Sequence, residues 1–336
     1  MVNVMCGNEI KNFGFRFAFR SLIRNFAIEI AKFLHLGRKK KRVSFVLHSI
    51  FRNFAGSMDY SINIRGRLIS LERPLVMGIL NCTPDSFYAG SRKQTEREIA
   101  ERAQQIVAEG GSFIDVGAFS TRPGATEVSE EEELLRLRDA LYVVRREVPR
   151  ETVVSVDTYR PLVARRCVEE WGADIVNDVS EGGRTGIVNT PAHVEGSMFE
   201  TVARLGVPYI LMSVQSSVET MLQAWADDVM QLRALGQKDI ILDPGFGFGK
   251  TVDENFAVLS RLEQLAVMDL PLLVGLSRKS MIWKTLGSKP DDSLNGTTVL
   301  NTLALQKGAS ILRVHDVSEA VEAVTLVGKL EKRGKR

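Results

Sequence analysis

The sequence predicts an α/β fold, a (β/α)8 TIM-type barrel in a single domain with a basic N-terminal extension. Short apolar runs alternate with amphipathic helical stretches eight times from Leu75 onward. Eight such units in roughly 260 residues suit a closed parallel barrel better than an open doubly wound sheet. The first run, 75–81, carries almost no polarity, as a strand covered on both faces reads. Nearly all of them end on an amide, a carboxylate or a cation, at the face where barrel sites assemble.

The first run, 75–81, reads Leu-Val-Met-Gly-Ile-Leu-Asn and stops in a polar loop with Thr83, Pro84, Asp85 and Ser86. The others are 112–117, 152–157, 174–178, 208–212, 239–243, 271–276 and 309–314. Helical periodicity fills 95–109, 130–147, 160–171, 219–235, 253–266 and 317–330 between and after them. Before the first run, 59–68 alternates like a short strand pair. No Pro/Gly/Ser linker divides 58–336, so it is taken as one domain.

The 336 residues are 44% hydrophobic and 25% charged, the composition of a soluble globular chain. The net charge of +3 hides an asymmetry. Residues 1–57 hold 11 of the 44 Lys and Arg against Glu9 and Glu29, and nine of the 16 phenylalanines. Positions 58–336 are therefore net acidic, which argues against nucleic-acid binding through phosphate contacts. Cys6, Cys82 and Cys167 have no CxxC spacing, and a reducing, cytoplasmic setting follows.

In the extension, Arg16, Arg20 and Arg24 recur opposite Ile23, Phe26, Ile30 and Leu34, the pattern of a basic amphipathic helix, and Arg38-Lys-Lys-Lys-Arg42 follows. No apolar run reaches the ~20 residues that span a bilayer, and no signal-peptide core is present. An organelle-type leader, a membrane-surface helix and upstream sequence before a true start at Met58 are the alternatives. The last is favoured, and 1–57 are excluded from the fold.

The strand ends gather Asn81, Asp115, Asp157, Asn177 with Asp178, Met212, Asp243, Ser277-Arg278-Lys279, and Arg313 with His315. Any one Asp or Asn there could be an ordinary loop or N-cap residue. Together, carboxylates and amides at one end of a barrel suit a planar ligand rich in N–H donors. Arg122, Lys279, Arg313 and His315 on an acidic body point to an anionic group, most simply a phosphate or diphosphate. Gly249-Lys250-Thr251 imitates the end of a phosphate loop, but Pro244 stands where that motif needs Gly. Gly245-Phe-Gly-Phe-Gly lacks dinucleotide spacing. With only His193, in a polar insertion, and His315 in the body, no Ser/His/Asp order emerges. A metal, if used, would be a hard oxygen-bound ion such as Mg2+.

Seven stretches, in order, resemble dihydropteroate synthase, the folate-pathway family that sulfonamides inhibit. They are Met77–Phe87, Ser120–Gly124, Ser155–Thr158, Asn177–Ser180, Asp243–Lys250, Gly275–Ser280 and Arg313–Val317. The resemblance implies a transferase that condenses 6-hydroxymethyl-7,8-dihydropterin diphosphate with 4-aminobenzoate, giving 7,8-dihydropteroate and diphosphate. It implies that Asp157, Asn177, Asp243 and Lys279 hold the pterin edge, with Ile79, Val179, Met212 and Phe248 on its faces. Asn81 would bind Mg2+ and diphosphate, with Arg122, Arg313 and His315 as the anion site. Thr121, Arg122, Asp85 and Lys279 would serve the reacting centre, and Ser280, Phe87, Thr121 and Pro123 would receive 4-aminobenzoate. The family's carbocation-like pterin methylene needs no protein nucleophile, and a homodimer is its usual assembly.

Some positions depart from the family pattern. Ala89 stands where a loop carboxylate is usual, and Gly117-Ala118-Phe119 replaces Gly-Gly-Glu. Ser213-Val214-Gln215-Ser216 replaces His-Met-x-Gly, and 184–196 reads as an insertion. Two other functions are weighed: a methyltetrahydrofolate-dependent methyltransferase and a catalytically silent pterin-binding paralogue. The former needs neither Ser-Arg-Lys-Ser nor Arg-x-His; the latter would follow from Ala89 and Ser213.

Overall fold

The computed structural model describes residues 60–82, 92–119, 128–183 and 196–334. Asp59–Arg336 form one compact unit. The 1–57 extension, Asp85, Phe87, Ala89, Thr121, Arg122, Pro123 and His193 lie outside the described residues.

The alternating segment after Tyr60 forms the expected antiparallel hairpin, β1 (Ser61–Ile64) and β2 (Arg67–Ser70). Arg65 and Gly66, both at positive φ (51° and 81°), make the turn, the conformation a two-residue hairpin requires. The barrel strands follow as β3 (Leu75–Asn81), β4 (Phe113–Gly117), β5 (Val153–Asp157), β6 (Ile175–Asp178), β7 (Tyr209–Met212), β8 (Ile240–Asp243), β9 (Leu273–Val274) and β10 (Ile311–Val314). All are parallel, in the order β8-β7-β6-β5-β4-β3-β10-β9. A bridge between Leu242 and Leu272 closes the ring, with the Leu242 N–H donating to the Pro271 carbonyl at 2.9 Å. Strand β9 is shorter than the predicted 271–276. Pro271 has no N–H to donate, so it pairs through its carbonyl alone, and 275–276 fall beyond the strand.

The helices are α1 (Arg92–Ala108), α2 (Glu130–Glu147), α3 (Pro161–Glu169), α4 (Met198–Leu205), α5 (Val218–Ala234), α6 (Val252–Ser260), α7 (Ser280–Leu286), α8 (Leu294–Gln306) and α9 (Val317–Gly334). Side-chain caps start several of them: Ser129, Ser197 and Ser217 each accept an N–H from the first turn. Thr251 and Glu254 form a reciprocal capping box on α6. The helix expected over 253–266 is shorter, ending at Ser260 before a 3-10 turn, Leu262–Met268.

Period-two alternation along the strands decides what lies inside and outside. Outward residues such as Val76, Leu80, Ile114, Val116, Val154 and Leu312 pack against the helices. Gly78 lies on that face because a Cβ there would meet Ile106 of α1 at 2.6 Å. Inward, a base layer takes one apolar residue from every strand, from Met77 on β3 to Ile311 on β10. Ile62, Ile64 and Leu71 of the hairpin segment pack into the same layer and plug the N-terminal mouth. Two residues further along, the inward layer turns polar on β4, β5, β6, β8 and β10, with Asp115, Ser155, Asn177, Asp243 and Arg313.

Asp174, 3% exposed at the start of β6, ties hairpin to barrel. Its carboxylate takes ion pairs from Arg65 and Arg145, both at 2.5 Å, and the Val154 N–H at 2.9 Å. Asp174→Ala should therefore cost about 3 kcal/mol, because Arg145 loses a largely buried partner. Arg65→Ala, which removes a half-exposed cation, should cost under about 1 kcal/mol. Urea unfolding of the two variants checks this order, which equal midpoints would contradict.

Candidate active site

The polar inward layer begins with Asp115 on β4, Asn177 on β6, Asp243 on β8 and Arg313 on β10. They occupy the core-facing positions two residues beyond Phe113, Ile175, Ile241 and Ile311 of the base layer. Strand register sets a second rung above them: Asn81 pairs with Gly117, Gly117 with Asp157 and Asp157 with Asn177. Gly117 lies between them, where a Cβ would make ordinary contact with Asn81 Oδ1 at 3.6 Å and Asp157 Cβ at 3.5 Å.

Arg313 organises the layer. Its Nε donates to Asp115 Oδ2 at 2.6 Å, and its Nη2 donates to Asp157 Oδ2 at 2.8 Å. Asn177 Nδ2 donates to the same Asp115 oxygen at 3.0 Å. Asp115 is fully buried, whereas Asp157 and Arg313 keep 17% and 16% of their side-chain surface. Among the described residues the opposite edges of these groups have no partner: Asp115 Oδ1, Asp157 Oδ1 and Asn177 Oδ1 are buried acceptors. Buried acceptors without donors cost roughly 1–3 kcal/mol each, so the layer is built for a ligand that supplies N–H groups.

Electrostatics agree. Burial pushes Asp157 up to about 7, helped by the Asp115 carboxylate and opposed by Arg313. Burial also raises Asp243, against the Gly245 N–H that donates to its Oδ1 at 2.8 Å and against Lys279, Arg313 and Lys250. Arg313 is desolvated, but Asp115 and Asp157 outweigh that and hold its charge more firmly than usual.

The cavity at this layer is lined by Asn177, Val179, Asp243, Phe248, Lys279 and Arg313, with Phe246 and Gly275. Val179 and Phe248 form its apolar wall, backed by Met212 and Val214 of the same small cluster. Lys279 crosses it with Nζ 4.2 Å from the Phe248 ring centre, a cation–π distance. Lys279 fits because a Cβ on Gly247 would meet its Cδ at 2.9 Å. The Gly245-Phe-Gly-Phe-Gly run thus has a use other than phosphate binding. Gly245, Gly247 and Gly249 all take positive φ (65°, 80° and 60°), which sends Phe246 into the core and Phe248 to the cavity.

Of the residues expected from sequence, the structure brings Asp157, Asn177, Asp243, Lys279, Met212, Val179, Phe248 and Arg313 together. Ile79 faces inward on β3 in register with Asp115. Asn81 ends β3 at the exposed rim. His315 follows β10, with its backbone N–H donating to Ser277 Oγ at 3.1 Å. Ser280 opens α7. Arg278 leaves the group of strand-end cations. At φ 53° it turns away, forming a bidentate pair with Asp316 at 2.7 and 3.0 Å.

Three further residues support the site. Asp115 stood out only as one strand-end carboxylate among several; its link to Arg313, 198 residues away, is invisible in sequence. Arg102 of α1 donates to the carbonyls of Ile79 at 3.2 Å and His315 at 2.6 Å, fastening the ends of β3 and β10. Asn255 of α6, 1% exposed, accepts the Gly247 N–H at 2.8 Å and steadies the glycine loop.

The same barrel occurs in known proteins. Residues 77–315 match the sequence profile of the family described as pterin binding enzyme. The dihydropteroate synthase of Escherichia coli (strain K12) is 38% identical over 278 residues, covering 78% of this chain and 94% of that protein. Its counterpart from Bacillus subtilis (strain 168) is 34% identical over 271 residues, covering 78% and 90%. Among solved structures, Xanthomonas albilineans dihydropteroate synthase with 4-aminobenzoic acid superposes with a TM-score of 0.71 at 33% identity, covering 81% of this chain and 98% of that one. Yersinia pestis dihydropteroate synthase with a sulfonamide drug complex gives 0.71 at 34% identity, covering 81% and 100%. With its matched segment running from the first barrel strand to the residue after the last, the chain belongs to the pterin-binding enzyme family that these dihydropteroate synthases represent.

Proposed function

We propose that this chain is a dihydropteroate synthase, a transferase of folate biosynthesis. It joins (7,8-dihydropterin-6-yl)methyl diphosphate to 4-aminobenzoate, releasing 7,8-dihydropteroate and diphosphate. The observation that carries this reading is the row of buried, unpartnered acceptors on Asp115, Asp157 and Asn177 beside an apolar wall. A pterin presents an edge of ring and amino N–H groups with two flat faces, and it satisfies both features at once.

Asp157, Asn177 and Asp243 accept from the pterin edge, Lys279 donates to it, and Met212, Val179, Phe248 and Ile79 flank the ring. Arg313, His315 and Arg122 are assigned to the diphosphate. Chemistry is one exchange of bonds: the C–O bond from the pterin methylene to diphosphate breaks, its electrons leave with the diphosphate, and the amine nitrogen bonds to that carbon and sheds a proton. The chain contributes positioning and stabilisation of the leaving anion in a site shielded from water. Asp85, Thr121 and Arg122 are assigned to the reacting centre, and Phe87, Thr121, Pro123 and Ser280 to 4-aminobenzoate.

Mg2+ fits this assignment in one way only. Among the described residues no group of three acidic, His or Cys side chains forms a metal cage. Asn81 offers a single amide oxygen at the exposed end of β3, which suits an ion that takes its remaining ligands from diphosphate and water. When bound, the ion would neutralise charge on the leaving diphosphate.

Assembly as a homodimer and a cytoplasmic setting belong to the same proposal. Exposed Leu286, Val299 and Leu303 on α7 and α8 offer an apolar face for the first. For the second, Cys82 and Cys167 are free and buried, and no described helix is long and apolar enough to cross a membrane.

The direct test follows diphosphate release from the full chain with Mg2+ and the pterin diphosphate, with and without 4-aminobenzoate. Release that depends on 4-aminobenzoate and yields dihydropteroate is the expected result; tight pterin binding without turnover would instead indicate the silent paralogue. Asp157→Asn should weaken pterin diphosphate binding about 100-fold by calorimetry, since its amide sets a donor against ligand donors.

The raised pKa of Asp157 fixes a pH dependence. Below pH 7 the empty site holds a proton that N–H donors must expel, so affinity should fall toward about tenfold per pH unit on acidification through this range. For the empty protein the sign reverses, because a folded pKa above the unfolded value stabilises at low pH and that contribution is lost as pH rises through 7. Calorimetry in buffers of different ionisation enthalpy should register proton release on binding at about pH 6, shrinking as pH approaches about 7.5.

A further inference from the structure

Lys250 closes the glycine loop and does not line the cavity. Its ammonium donates to three backbone carbonyls: Gly245 at 3.0 Å, Phe248 at 3.1 Å and Ser213 at 3.2 Å. An ammonium has three donors, so the set is complete. The three carbonyls belong to different parts of the apolar wall. Ser213 follows Met212 at the end of β7, Gly245 begins the turn after Asp243 of β8, and Phe248 is the ring beneath Lys279. Backbones meet closely here, since a Cβ on Gly245 would lie 2.2 Å from the Ser213 carbonyl oxygen. Their carbonyl dipoles converge on the ammonium, which offsets their mutual repulsion.

A second link extends the strap to β6. Glu181, 1% exposed and held at φ 53°, accepts from Ser213 Oγ at 3.1 Å and from Gln215 Nε2 at 3.2 Å. The Gln215 N–H in turn donates to Ser213 Oγ at 3.1 Å. The loops after β6, β7 and β8 are thus joined behind Val179, Met212, Val214 and Phe248.

We propose that Lys250 is a positioning residue for the pterin: its ammonium gathers three carbonyls into the strap that holds the ring-facing wall in place. The proposal rests on the pterin-binding reading above and adds to it a residue that touches no substrate. Burial lowers the Lys250 pKa to about 8, while Asp243, Glu181 and Glu254 favour its charge. Lys279 is the other cation against this loop. A neutral amine has two donors and one lone pair, which would face the third carbonyl. Wall order, and with it pterin affinity, is therefore complete below pH 8 and declines as pH rises through it.

The test compares wild type, Lys250→Met and Lys250→Arg by calorimetry with dihydropterin diphosphate and by turnover, from pH 6.5 to 10. Lys250→Met should bind the pterin diphosphate about tenfold more weakly at pH 7 and lose the alkaline limb, with KM for the pterin rising more than kcat falls. Lys250→Arg keeps its charge throughout, so its affinity should stay level between pH 7 and 9.5; this arm decides the matter if the Met variant does not fold. Folded Lys250→Met binding within twofold of wild type, or an alkaline limb unchanged in Lys250→Arg, would overturn the assignment. Failure of the parent reading looks different: wild type itself would not bind the pterin diphosphate, or Asp157→Asn would bind it normally.

Discussion

Burying one guanidinium between two carboxylates is the constraint from which the site follows. Arg313 can sit at the centre of the barrel only because Asp115 and Asp157 pair with it, and buried charges without partners cost several kcal/mol. The arrangement is unbalanced, with two acids against one base. The surplus negative charge must take up a proton, as the raised pKa of Asp157 indicates, or meet donors brought from outside. A donor-rich ligand relieves what the empty barrel cannot. The polarity of the site is thus an instruction about its ligand as well as a feature of the fold.

That imbalance is tolerable because everything beneath it is dry. One apolar residue from each strand, sealed by Ile62, Ile64 and Leu71, forms a floor through which water cannot reach the carboxylates from the N-terminal side. Outside, the strand faces pack against helices closely enough for Ile106 to require glycine at position 78. The ring is held to fixed register by parallel pairing on seven seams and by the Leu242–Leu272 bridge on the eighth. A shift of one residue would exchange inward and outward positions on a strand and put Asp115 against α2. The same period of two that makes the floor apolar therefore aims the acceptors at the ligand.

The barrel was legible because buried parallel strands write themselves as continuous apolar runs, and seven of the eight runs match the observed strands closely. The eighth, 271–276, is apolar along its length but forms a strand over Leu273–Val274 only, with a single bridge at Leu272 before it. Composition reports burial, whereas hydrogen bonding depends on where a proline falls. The ligand-facing residues were legible for a related reason: Asp157, Asn177 and Asp243 stand at or next to the last residue of their runs. Arg278 looked like their equal beside Lys279. Its backbone conformation and the Asp316 carboxylate remove it, and neither is encoded in the local pattern.

Less legible were residues that act through others. Asp115 lies in mid-strand, and its importance comes from a partner at the far end of the chain. Lys250 stood in a failed imitation of a phosphate loop, where its neighbours invited a functional reading that the spacing refused. The glycines there serve a different physical end, bringing carbonyls close enough to need a cation and leaving room for Lys279 and Phe248 to meet. Phosphate loops aim backbone N–H groups at an anion; here backbone carbonyls are aimed at an ammonium. The polarity of the loop is inverted, and with it the reach of its influence, which falls on the shape of the neighbouring wall. A lysine that contacts no ligand can in this way bear on which flat molecule the barrel accepts.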